Sequence, residues 1–164
     1  MFDDLLEANR RYQADFQGSG VAGTAARRLA VLTCIDSRID PLAMLGLRPG
    51  DAKILRNAGA RVTDSLRSLV LAANLLGVNR VCVVQHTDCA MVGPSEEEMV
   101  ATITAARGVD ASGWEFQTSI DQVATLQQDI ALIRSCPLMP PGLQVGGFIF
   151  DVHTGELVPA PPVA

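Results

Sequence analysis

A chain of 164 residues, 48% hydrophobic and 19% charged, has the length and apolar content for one compact domain spanning 1–164. A formal charge of −5 with no basic run excludes nucleic acid and anionic membrane as natural partners. LRSLVLAANLLGV is too short for a membrane span and contains Arg67 and Asn74, and the acidic opening lacks a secretory leader's positive start and apolar core. A cytoplasmic protein is therefore expected.

Residues 2–16 set Phe2, Leu5, Leu6, Tyr12 and Phe16 near helical spacing, which predicts an amphipathic helix. QGSGVAGTA reads as a mobile connection. LAVLTC fits a short buried parallel strand. Asp40 caps a short helix, PLAMLG, with Pro41 in its first turn. AKILRNAG is a second strand ending in a glycine turn. Asp64 is expected to cap the helix SLRSLVLAANLLG, closed by Gly77. RVCVVQH is the third strand. SEEEMVATITAAR and SIDQVATLQQDIALIRSC are further helices, the first with Glu96, Glu97 and Glu98 suited to its N-terminal dipole. QVGGFIFDV is the last strand, HTGELVP turns a hairpin after it, and residues 159–164 read as a loose tail. Alternating strand and helix predicts an α/β fold, a parallel sheet with helices on both faces. In such sheets ligands gather at the carboxyl ends of strands. Cys34 ends the first predicted strand and His86 the third.

In a reducing compartment four cysteines favour metal or catalysis over disulfides. Cys34, His86 and Cys89 offer two soft thiolates and an imidazole, a set that zinc prefers. Three protein ligands, where a structural site uses four, leave a position open for chemistry. Asp36 and Arg38 follow the first thiol at a spacing that sends all three side chains to one side, so arginine can orient an acid beside the metal. Cys82, inside VCVV, and Cys136, before Pro137, read as ordinary packed cysteines. His153, at a hairpin tip, reads as a solvated side chain. In RNAGA the glycine turn has two readings: it permits a tight bend, or it also presents N–H groups of Ala58 and Gly59 to an anion.

These segments, TCIDSRIDP at 33–41, RNAGA at 56–60, the helix SLRSLVLAANLLGV, VVQHTDCAM at 83–91 and the terminal GFIFDVHTGEL, resemble the β-class carbonic anhydrases in their compact, prokaryotic form. The resemblance covers roughly residues 26–158; Ala90 stands where that family often has glycine. It implies a four-stranded parallel core with an added antiparallel edge strand. It implies one Zn2+ per chain on Cys34, His86 and Cys89, with Asp36 and Arg38 as the catalytic dyad. Asp36 then either orients the attacking oxygen or swings in as a fourth ligand. Backbone at Ala58 and Gly59 would meet the substrate. The reaction implied is reversible hydration of carbon dioxide to bicarbonate and a proton. The alternative on the same site is hydrolysis of carbonyl sulfide or carbon disulfide, and a third reading is a non-catalytic zinc-binding or redox-sensing protein. A homo-oligomer, dimer or dimer of dimers, is implied, with residues 1–17 as a helical arm over the partner.

Overall fold

The computed structural model describes residues 1–161. A five-stranded sheet of order β2-β1-β3-β4-β5 forms its centre. β1 (Leu29–Cys34), β2 (Ala52–Asn57), β3 (Arg80–His86) and β4 (Gln144–Phe150) run parallel, and β5 (Leu157–Pro159) pairs antiparallel with β4 at the edge. Continuous apolar runs without alternation build β1 and β3, as strands covered on both faces require.

Helices α3 (Val62–Leu75) and α5 (Gln122–Ser135) cover one face. Leu69, Ala72, Leu126, Ile130 and Ile133 close there on Ala30, Leu32, Val81 and Val83. A side chain at Gly147 would run into Ile130 and Leu126, so β4 meets α5 through a bare backbone. The other face is thinner. Short α2 (Pro41–Met44) and Leu47 pack there on Val31, Val84 and Phe148. Asp40 Oδ1 caps α2 by accepting from the N–H groups of Leu42 and Ala43. Helix α4 (Glu96–Arg107) opens with a capping box between Ser95 and Glu98. Helix α1 (Asp3–Ala14) buries no residue.

Three expectations need correcting. Helix α3 starts at Val62, and Asp64 lies in its first turn, not at the cap. The Val62 N–H is met instead by the carboxylate of Asp129 from α5, at 3.2 Å. Arg61 holds the same carboxylate through Nε at 2.9 Å. Burial pushes the Asp129 carboxyl up, and the bond to Arg61 opposes that push without cancelling it. Helix α5 begins at Gln122, capped by Asp121, because Ser119 is already spent on a bridge to Val92. The tail is tied down further than expected: Pro159 belongs to β5, the Ala160 N–H donates to the Gly147 carbonyl, and Gln127 Nε2 donates to that of Pro161. The remainder of the expected loose tail, 162–164, lies outside the described residues.

Candidate active site

Because β1 and β3 are parallel neighbours, their carboxyl ends meet at one edge. Cys34 closes β1 and His86 closes β3. The turn after β3 doubles back within three residues and returns Cys89 to the same point. Asp88 makes that turn with φ of 54°, in the left-handed region that most side chains avoid. The donor atoms of Cys34, His86 and Cys89 all lie within 4.8 Å of one another, and all three residues are buried. Cys82 and Cys136 stand apart from this group.

The donor set fits zinc. The two Sγ atoms are 4.0 Å apart. Two thiolates on one tetrahedral zinc, at about 2.3 Å each, would lie about 3.8 Å apart. His86 is 1% exposed, and its Nε2 is buried with no hydrogen-bond partner. A buried ring nitrogen without a partner is costly unless it is a ligand. The opposite nitrogen, Nδ1, sits 2.8 Å from the Thr87 carbonyl, which fixes the tautomer with the Nε2 lone pair free. Gln122 Nε2 donates to the His86 carbonyl and steadies the strand end.

The two thiols are unequal. A hydrogen bond from Cys89, with help from His86 and backbone N–H groups, draws Cys34 down to about 4 against the pull of burial. That same bond and burial push Cys89 up. Two adjacent thiolates repel each other without a cation between them, which is what a divalent metal supplies. Burial pulls His86 toward the neutral form, but contact with the Cys34 thiolate outweighs it and the net shift is upward.

Asp36 and Arg38 do come together beside the cluster. Arg38 donates from Nε to Asp36 Oδ1 at 3.0 Å and from Nη2 to Oδ2 at 2.8 Å, and its backbone N–H adds a third bond at 2.9 Å. These bonds hold the Asp36 carboxyl well below the usual carboxylate range. Its Oδ2 faces His86 Nε2 at 3.9 Å. The carboxylate thus borders the cluster but is paired with arginine.

The RNAGA turn presents an N–H to the cluster. The Gly59 N–H donates to Cys34 Sγ at 3.3 Å, with Gly59 at φ of 72°. That N–H is engaged by the thiolate. Ala58 is half-buried at the start of the same turn.

Arg56 is a residue that the sequence reading passed over. Its guanidinium donates to the carbonyls of Cys34, Ile39 and Asp36, at 2.8, 3.1 and 2.6 Å. One side chain thereby clamps the loop that carries both a cluster thiol and the dyad. Its place at the head of RNAGA was the only available signal. His153 is likewise more than a solvated tip: its Nε2 lies 2.6 Å from Asp88 Oδ2.

Comparison with known proteins agrees with this geometry. The carbonic anhydrase family profile matches residues 29–111. The chain is 33% identical over 156 residues to beta-carbonic anhydrase 1 of Mycobacterium tuberculosis, covering 94% of each. It is 34% identical over 157 residues to the carbon disulfide hydrolase of Saccharolobus solfataricus, covering 80% of this chain and 76% of that one. The crystal structure of carbonic anhydrase from Streptococcus mutans superposes with a TM-score of 0.91 at 36% identity, over 98% of this chain and 97% of that one. Sheet order, cluster and whole-length similarity agree: the chain belongs to the β-carbonic anhydrase family.

Proposed function

We propose that the chain catalyses the reversible hydration of carbon dioxide on a zinc ion held by Cys34, His86 and Cys89, with Asp36 and Arg38 as the catalytic dyad. The observation that carries this is a buried Cys-His-Cys cluster bordered by a carboxylate that arginine keeps ionised. Zinc, when bound, would make hydroxide available from water near neutral pH. Every other part of the work falls to the chain itself. Asp36 accepts a hydrogen bond from the attacking oxygen and turns its lone pair toward the carbon. Arg38 keeps Asp36 charged and orients its carboxylate. The Gly59 N–H and the Arg56 clamp hold Cys34 and the dyad loop in place. Ala58 and Gly59, in the turn beside Cys34, border the substrate. A merely structural zinc or redox-sensing site would have no use for the ionised dyad.

Carbon disulfide or carbonyl sulfide is the second reading, favoured by the 34% identity to a carbon disulfide hydrolase. Both reactions open with attack on a linear, apolar molecule, so the dyad serves either. Metal analysis followed by parallel assays on carbon dioxide, carbonyl sulfide and carbon disulfide tests the proposal. Turnover of carbon dioxide with about one zinc per chain is expected. Turnover confined to the sulfur substrates would move the assignment to hydrolysis.

We also propose a homo-oligomer in the cytoplasm. Two cysteine sulfurs at 4.0 Å are readily lost to a disulfide in an oxidising compartment. Helix α1 and its flanking residues leave Phe2, Leu5, Leu6, Tyr12 and Phe16 between 49% and 65% exposed, an apolar stripe that a second copy would cover. No helix among the described residues is long and apolar enough to cross a membrane. Removing residues 1–17 is expected to weaken association, read by sedimentation against the full chain. A full chain that sediments as a monomer at micromolar concentration would contradict the arm.

A further inference from the structure

One titratable pair at the mouth of the site has no part in the mechanism above. His153, at the tip of the β4–β5 hairpin, places Nε2 2.6 Å from Asp88 Oδ2. Asp88 sits between His86 and Cys89 of the cluster. Arg38 reaches it twice, from Nη2 to its carbonyl at 3.2 Å and from Nη1 to its carboxylate at 4.0 Å. Arg38 in turn grips Asp36. A run of contacts therefore leads from the cluster to an imidazole whose side chain is 66% exposed.

Three observations separate this from an ordinary surface pair. The hairpin tip is fixed: Asp151 Oδ1 accepts from the N–H groups of His153 and Thr154, at 2.7 and 3.0 Å. The hairpin is also fastened to the cluster turn. Thr87 N–H donates to the Phe150 carbonyl at 3.0 Å, and Val152 N–H donates to Thr87 Oγ1 at 3.1 Å. Finally, Asp88 has φ of 54°, where glycine would be least strained, yet a carboxylate stands there and meets the histidine.

Hydration releases a proton at every turnover, and that proton must reach the solvent. The chain has two histidines, and His86 belongs to the cluster. We infer that His153, held by Asp88, is the proton-relay residue of this site. The inference rests on the hydration reading. Asp88 accepts from Nε2–H, which leaves the Nδ1 lone pair free. Water adds to carbon dioxide through a new C–O bond, giving bicarbonate and a proton. Nδ1 takes that proton from solvent at the mouth, and the imidazolium hands it to a buffer base outside. Arg38 is a permanent cation and passes no proton, so the side-chain run positions the relay and the solvent carries the hop. Asp88 from the cluster turn and Asp151 from the hairpin's own turn are the anions beside the ring, with Arg38 the nearby cation.

The test is carbon dioxide hydration by the zinc-loaded full chain in dilute and in concentrated buffer, comparing the unaltered chain, His153→Ala and His153→Gln. In dilute buffer kcat is expected to fall about tenfold or more in both variants, with kcat/KM nearly unchanged. Concentrated buffer or added imidazole should restore it. Nitrogen NMR of the unaltered chain should show the neutral His153 ring as the Nε2–H tautomer. Equal kcat for all three chains in dilute buffer would overturn the relay, as would a loss that glutamine repairs and imidazole does not. An Nδ1–H tautomer would overturn it too. An unaltered chain that fails to hydrate carbon dioxide in either buffer removes the hydration reading and the relay together, whereas an active chain with unaffected variants removes the relay alone.

Discussion

Replacing both Cys34 and Cys89 with serine is expected to leave the chain without zinc and without turnover. A serine hydroxyl is a far weaker ligand than a thiolate at neutral pH, and His86 alone cannot hold the ion. Stability should fall as well. Metal binding contributes about 10–16 kcal/mol in zinc-finger peptides that are unfolded without it. The loss here should be well short of that, because the sheet and its α3–α5 face form a core independent of the site. The Gly59 N–H also loses its sulfur acceptor, so local loosening of the RNAGA turn should accompany metal loss. Atomic emission reads the metal content and urea unfolding reads the stability. Full zinc retention in the double variant would sink the ligand assignment.

The elements most legible in the sequence are those that carry the chemistry. LAVLTC and RVCVVQH became β1 and β3 residue for residue, since each is an unbroken apolar run ending in polar residues. Parallel pairing of those runs then obliges Cys34 and His86 to share an edge. The Cys34–Asp36–Arg38 spacing was equally readable, being local. What escaped the sequence is long-range. The α3 cap is supplied by Asp129, 67 residues beyond Val62, so a local rule assigned Asp64 the task. Arg56 clamps carbonyls up to 22 residues away, and no periodicity announces such bonds. His153 and Asp88 are 65 residues apart and meet only because β4 lies beside β3 and its hairpin folds over the cluster turn. The tail looked loose by its prolines, yet Pro159 occupies an edge strand, a place that tolerates a missing N–H.

Changing Asp36 to asparagine should separate the acid's charge from its shape. Asparagine keeps the size and one oxygen acceptor. It loses the charge that the three bonds from Arg38 now stabilise. Zinc should be retained, because the three donor atoms lie in a group that excludes Asp36. Turnover should fall about a hundredfold or more, the scale seen when a positioned hydrogen-bonding partner of a reacting oxygen is removed. The loss should persist from about pH 7 to about pH 9. The sign follows from the carboxyl's downward shift: Asp36 is already ionised throughout that window, so raising the pH cannot recruit more of it. Any alkaline rise in the unaltered chain then belongs to hydroxide supply and to hydroxide competing with the carboxylate for the metal. In the asparagine variant the second of these contributions disappears, since a neutral amide is a poor rival for zinc, and the alkaline rise should be shallower. The same shift gives a stability signature. Asp36 favours the folded state above the ordinary carboxylate pKa, and that contribution is lost as the pH falls through its lowered value, so the variant should show a weaker acid dependence of unfolding. Turnover equal to the unaltered chain across the window would make the acid structural and the dyad mechanism wrong.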